Sequence, residues 1–293
     1  MDKKTWTNII KLVAKLFFSA LLIYLVFQKI DIGQMRAVFL KSKLLFLFFA
    51  LLLYMLSQVI SAWRLIGFLK STGINISAGL NFRLYMLGMF CNNFLPGGIG
   101  GDAYKIYLLR KKYRQPAKKI FLSLFLDRLS GLWAIFVYAL LFYILLSGAG
   151  PEKLLIVSVF SAGTGIYFFI IKRFFSVYTA NWFFAHAKAL FVQLLQLLSV
   201  IFILYAQNLN IDLLPYLFMF LASSVATIIP VSIGGLGIRE FVMLKSPAFL
   251  QIDIKLAVYM TLTFYLISLV AALPGAWFIY RVKEFKITGK QAD

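Results

Sequence analysis

Six stretches of this chain, 9–28, 43–62, 120–147, 153–171, 188–206 and 254–280, are almost uninterrupted in Phe, Leu, Ile, Val and Tyr. A hydrocarbon core of ~30 Å takes ~20 apolar residues to cross as a helix. Runs of this length therefore predict transmembrane helices, inside which the backbone satisfies its own hydrogen bonds. The chain is 62% hydrophobic and 17% aromatic, more apolar surface than a soluble domain can hide. The fold class expected is an all-α polytopic membrane protein. Lys3, Lys4, Lys11 and Lys15 precede the first run with no convincing small-residue cleavage site, which predicts an uncleaved first helix and not a signal peptide.

Two further apolar runs, 80–95 and 213–229, are shorter, and each passes into a proline and then glycines, "FLPGGIGG" and "IIPVSIGG". At ~1.5 Å per residue they reach roughly 25 Å, short of the core, so they read as re-entrant or broken helices. The charge is lopsided, with 30 Lys+Arg against 10 Asp+Glu. These cations lie between apolar runs, which points to topology signals and anionic lipid surfaces and away from nucleic acid. With the N-terminus in the cytoplasm, segments 1–15, 63–83, 105–119, 172–188 and 281–290 hold 21 of the 30 cations. That bias follows the positive-inside rule and places both termini on the cytoplasmic side of a prokaryotic cytoplasmic (inner) membrane. The loop 29–43 is the weak link, because Lys29, Arg36, Lys41 and Lys43 are then outside.

The two breaks align with each other. A shift of 134 carries Pro96 onto Pro230, Ile99-Gly100-Gly101 onto Ile233-Gly234-Gly235, Lys105 onto Arg239, and 120–146 onto 254–280. The expected organisation is two halves, 1–147 and 148–293, each with three crossings and one re-entrant segment. Three is odd, so the second half is inverted relative to the first. Inverted repeats whose broken helices meet near the midplane are a recurring transporter design.

The polar residues gather at these breaks. Pro96 ends one helix, the glycines allow close approach to the backbone, and Asp102 reads as the N-cap of the next. A helix start exposes unpaired N–H groups and partial positive charge, which suits a phosphate. Lys105 in the first break and Arg239 in the second add full charges, with Glu240 beside the latter. Asn93 and its neighbour Asn92 read as caps for backbone carbonyls or as contacts to a head group. Asp127 and Arg128 lie inside the span 120–147. Adjacent in sequence, they point about 100° apart on a helix, so each needs another partner, Arg128 a lipid phosphate or Glu240. The candidate substrate-binding set is Asn93, Gly100, Gly101, Asp102, Lys105, Arg128, Gly234, Gly235, Arg239 and Glu240. The plainer alternative is that the breaks are only helix breakers whose charges snorkel to the interface.

Signals for chemistry are weak. "GIGGDA" fits G-x-G-x-x-A but follows a membrane segment and not a strand, so it is no dinucleotide fingerprint. There is no Walker A sequence, no D-x-x-D pair, one His (His186, read as an interfacial surface residue) and one Cys (Cys91, read as packing). No catalytic residue, metal or cofactor is expected, and the chain reads as not an enzyme.

"NNFLPGGIGGDAYKIYLLR", "FLDRLSGLW" and "IIPVSIGGLGIREF", in this order and spacing, resemble the lysylphosphatidylglycerol synthase transmembrane-region family of flippase-like integral membrane proteins. The resemblance covers essentially the whole chain. In bifunctional relatives, the multiple peptide resistance factors, such a region is joined to a soluble aminoacyl-transfer domain and is implicated in moving the modified lipid between leaflets. This chain ends at Asp293 soon after its last span, so that domain is expected to be absent and transferase activity is not carried over. By resemblance, Asp102, Arg128, Arg239 and Glu240 are the polar motif positions. The function implied is a flippase for an anionic or phosphate-bearing lipid, either a phospholipid or a lipid-linked precursor. The alternative is a non-transporting membrane partner of a lipid- or glycolipid-modifying enzyme. The expected partners are membrane lipids, with a second copy of the chain also compatible, and no nucleic acid.

Overall fold

The computed structural model describes residues 24, 39–94, 100–146, 150–207, 210–228, 235–246 and 250–280. The predicted first span, 9–28, apart from Tyr24, lies outside them, as do the centres of both breaks, 95–99 and 229–234. The chain is an all-α polytopic membrane protein. Its helices are α1 (Leu44–Lys70), α2 (Ala78–Phe94), α3 (Gly100–Tyr113), α4 (Ala117–Leu146), α5 (Pro151–Phe174), α6 (Trp182–Tyr205), α7 (Leu213–Ala226), α8 (Ile238–Lys245), α9 (Ile254–Ala272) and α10 (Pro274–Tyr280). Among the described residues, five helical stretches are long and apolar enough to cross a membrane: α1, α4, α5, α6 with the 3₁₀ turn before it, and α9 with most of α10. At 27 residues α1 is about 40 Å long, more than a hydrocarbon core needs.

Local chemistry sets several boundaries. Asp212 caps α7 by accepting the Leu214 amide at 3.1 Å, and Asp253 caps α9 by accepting the Lys255 amide at 2.7 Å. α5 opens on Pro151 with Glu152 in its first turn and closes on Lys172 and Arg173, the charge order the helix dipole favours. The run 254–280, expected as one span, is divided at Leu273, where a turn precedes Pro274. The run 43–62 continues to Lys70 as helix, eight residues past its expected end.

Hydrogen bonds define two ends of the bundle. At one end the Lys43 amide donates to the Ala206 carbonyl at 2.9 Å, and Ser42 meets Tyr259 at 2.8 Å and Gln207 at 2.7 Å. So the segment before α1, the end of α6 and the start of α9 lie together. At the other end the Tyr178 hydroxyl donates to the Lys119 carbonyl at 3.1 Å, joining the α3–α4 and α5–α6 connections. The principal core joins α1, α6, α7 and α9, where Tyr54, Phe220 and Phe264 pack edge to face. The outward faces are apolar too: Leu154, Leu155, Val159, Ile166 and Phe169 of α5 are exposed, as a lipid-facing surface requires.

Two hairpins enter this bundle. α2 and α3 pack against each other, and a Cβ at Gly101 would strike the Gly88 carbonyl oxygen, so only glycine permits their close crossing. Ile74 and Ile76, ahead of α2, share a core with Leu108 and Leu109 of α3. The segment before α2 and the later part of α3 therefore lie together. α7 and α8 form the second pair. Beyond α8, the Asp253 amide donates to the Tyr216 hydroxyl at 2.9 Å, so the start of α9 lies beside the start of α7.

Candidate functional site

The charges inside the bundle fall into place around two cavities. The first, about 270 Å³, is lined by Gln58 and Arg64 of α1, Tyr85, Asn92 and Asn93 of α2, Asp102 and Lys105 of α3, and Asp127 and Arg128 of α4. The second, about 380 Å³, is lined by Gln193 and Gln196 of α6, Ser224 and Thr227 of α7 and Arg239 of α8. Gln58, Arg64, Tyr85 and Arg128 line both, so the cavities adjoin.

Asp127 and Arg128 do find separate partners, as their angular offset demands. Asp127 is held by Arg64 in a fork, Nε to Oδ1 at 2.7 Å and Nη2 to Oδ2 at 3.2 Å, with both side chains under 10% exposed (7% and 8%). Arg128 pairs with Asp102, Nη2 to Oδ2 at 2.5 Å, and not with Glu240. Its side chain is 55% exposed and opens on the cavity. Asp102 also takes Lys105 at 3.3 Å, and the Lys105 ammonium sits 4.4 Å from the centre of the Tyr85 ring. One carboxylate thus serves two cations.

Several expectations change here. Asp102 is not the N-cap of α3. The helix begins at Gly100, and Asp102 sits in its first turn with its carboxylate turned to the two cations. Asn92 caps an amide: its Oδ1 accepts the Gly101 N–H at 2.9 Å, satisfying one of the orphan donors of the new helix. Asn93 lines the first cavity. A Cβ at Gly100 would meet nothing within 4 Å, so that glycine is not required by contact. His186 is not on the surface. It is 6% exposed, ringed by Trp133, Tyr167, Phe168 and Trp182, bonded to the Tyr167 hydroxyl at 3.0 Å and the Trp182 carbonyl at 2.8 Å. Cys91 packs in the core beneath the first hairpin.

In the second break Gly234 lies outside the described residues. Gly235 and Gly237 adopt φ of +85° and +86°, the left-handed region glycine alone enters freely. This bend turns Arg239 inward, where its Nη1 donates to the Ser224 hydroxyl at 2.8 Å and its guanidinium stands 5.5 Å from the Phe220 and Phe264 ring centres. Glu240 is 2% exposed and its Oε2 accepts the Gly237 amide at 2.7 Å, capping α8 from within.

Sequence reasoning missed Arg64, which it counted as a loop cation. The signal was present in the apolar register of "AWRLIGFL", which continues past Arg64. Across both cavities Arg64, Lys105, Arg128 and Arg239 face Asp102 and Asp127, an excess of positive charge suited to an anion. Among the described residues no three of His, Cys, Asp or Glu gather to hold a metal ion.

The sequence matches the family described as "Lysylphosphatidylglycerol synthase TM region" over residues 12–275. A UPF0104 membrane protein of Pyrococcus horikoshii is 27% identical over 139 residues, 47% of this chain and 42% of the relative. That match spans less than half the relative's length. The family match covers nearly all the helices that build both cavities, and the chain belongs to the lysylphosphatidylglycerol synthase transmembrane-region family.

Proposed function

We propose that this chain is a lipid translocator that moves an anionic, phosphate-bearing lipid between leaflets without catalysing a covalent change. The observation that carries the reading is the continuity of three spaces. The two cation-rich cavities share four residues. The second shares Leu129 and Leu132 with an apolar groove of about 350 Å³ between α4 and α5, lined by Trp133, Phe136 and Phe160. An amphiphile fits this arrangement: its head in the polar cavities, a tail in the groove or the surrounding lipid. A soluble anion has no use for the groove.

The hairpins supply the path. Lys105 of the first and Arg239 of the second line adjoining spaces. We read the hairpins as re-entrant and the halves 1–147 and 148–293 as inverted repeats that rock about the shared cavity, the alternating-access scheme such repeats serve. The phosphate passes from Lys105 and Arg128 to Arg239. The end carrying Arg110, Lys111, Lys112, Arg114, Lys118 and Lys119 is taken as cytoplasmic in a prokaryotic inner membrane.

A phosphatidylglycerol analogue with a photoreactive group on its head tests this in liposomes. Labelling of α4 and α7 near Arg128 and Ser224, suppressed by unlabelled phosphatidylglycerol but not by diacylglycerol, is the expected result. Labelling confined to the outer faces of α5 and α6 would refute it.

A further inference from the structure

The three acids inside the bundle differ in their partners. Asp127 is held by Arg64, and Asp102 by Lys105 and Arg128. Glu240 forms no ion pair with any described residue, although it is as buried as any of them. One oxygen, Oε2, accepts the Gly237 amide. The other, Oε1, is buried and has no hydrogen-bond partner. Thr261 of α9 stands beside the carboxyl. Its hydroxyl hydrogen is directed at its own helix, toward the Val258 carbonyl at 3.1 Å and the Ala257 carbonyl at 3.4 Å.

Among the described residues, the cation that acts on Glu240 is Arg239, the next residue along α8. α7, packed on one side, contains no ionisable residue except Tyr216, which is engaged by the Asp253 amide. α9, on the other side, brings Tyr265 near Glu240, while Tyr259 is bonded to Ser42 and Lys255 is exposed. On α8 itself Arg239 turns to Ser224, and Lys245 lies 5.9 Å from the centre of the Phe241 ring. A carboxylate here is buried with the Gly237 amide on one oxygen, none on the other and no ion pair, a costly arrangement even with Arg239 nearby. Protonation at the partnerless Oε1 removes that buried charge.

We infer that Glu240 is a proton-binding site and that its protonation is coupled to the binding of a phosphate-bearing anion at Arg239. The inference rests on the cavity being the head-group path. The step is a simple one: a proton adds to the Glu240 carboxylate, the site gains one unit of positive charge, and Arg239 is left free of a competing anion on the next residue. When the phosphate leaves, the carboxyl gives up its proton and its charge replaces the phosphate's. Linkage is reciprocal, so anion affinity rises as pH falls through the titration of Glu240, by at most about tenfold per pH unit for one linked proton.

The test uses the purified full chain in detergent and two readings. Infrared difference spectra across a pH titration are expected to show a protonated-carboxyl C=O band that is absent in Glu240→Gln. Thr261→Val, which keeps Glu240, should shift that band, so the site is decided even if the glutamine variant fails to fold. Calorimetry with short-chain phosphatidylglycerol in buffers of differing ionisation enthalpy should show uptake of up to one proton per lipid in the wild type. In Glu240→Gln it should show none, at an affinity independent of pH. Glycerol 3-phosphate, the head without tails, should bind more weakly with the same uptake. If it binds as tightly as the lipid, the proton site stands but the lipid reading falls. A band untouched by both substitutions, or undiminished proton uptake in Glu240→Gln, overturns the inference.

Discussion

Removing Arg64 is the sharpest test of how this bundle holds its charges. Arg64 and Asp127 share two hydrogen bonds, and each side chain is under 10% exposed (7% and 8%). Arg64→Ala leaves Asp127 buried without its cation, which costs roughly 3–5 kcal/mol where a buried pair is broken. Asp127→Ala strands the guanidinium at a similar cost. Removing both strands neither, so the double variant should be far less damaged than the sum of the singles, with a coupling of about 2 kcal/mol or more. That exceeds the ~0.6 kcal/mol typical of interhelical hydrogen bonds measured within membranes. The assay is equilibrium unfolding in mixed micelles for the four proteins of the cycle. Additive losses, with coupling near zero, would show that cavity water solvates both groups and that the fork does not fasten α1 to α4.

Other substitutions probe the breaks and the ends. Gly235→Ala forces a side chain into φ +85° with Thr227 Cγ2 2.9 Å from the new Cβ, and should lower unfolding stability by about 1–2 kcal/mol. Gly101→Val should separate α2 from α3 by striking the Gly88 carbonyl, read as loss of both thermal stability and lipid binding; Gly100→Ala, whose Cβ meets nothing, should be benign by the same measures. Cysteines introduced at Gln115 and at Ser42 of a Cys91→Ser protein should label from opposite faces of the membrane, Gln115 from the cytoplasm; labelling from one face would refute the opposed hairpins.

The helices were legible because membrane spans announce themselves in composition: 120–147 and 153–171 each fall within three residues of helices α4 and α5. The end of α1 was not, because a hydropathy window closes at Arg64, and only a partner 63 residues away keeps that cation inside the bundle. Asp127 and Arg128 were legible as groups needing partners, since charge inside a span is costly. Which partners they find is set by helix packing, and sequence spacing carries no trace of it. His186 was misplaced for a related reason. Aromatic residues around a histidine describe an interfacial belt and a buried cage equally well, and only the approach of Trp133 and Tyr167 from other helices separates the two. The glycines were half legible: Gly101 and Gly235 are demanded by contact and by φ, whereas Gly100 is not.

Leaflet-resolved movement of fluorescent phosphatidylglycerol in proteoliposomes tests the central claim most directly. Wild-type protein should move the lipid between leaflets. Arg239→Gln and Arg128→Gln should each slow that movement at least about tenfold, the loss of one charge-assisted contact to the phosphate, while their thermal stability falls less than in Arg64→Ala, because Arg128 is half exposed and leaves Lys105 paired with Asp102, and Arg239 is held by Ser224 and two ring faces without an ion pair. Movement at the wild-type rate in both folded variants, or none above protein-free liposomes in the wild type, would contradict it.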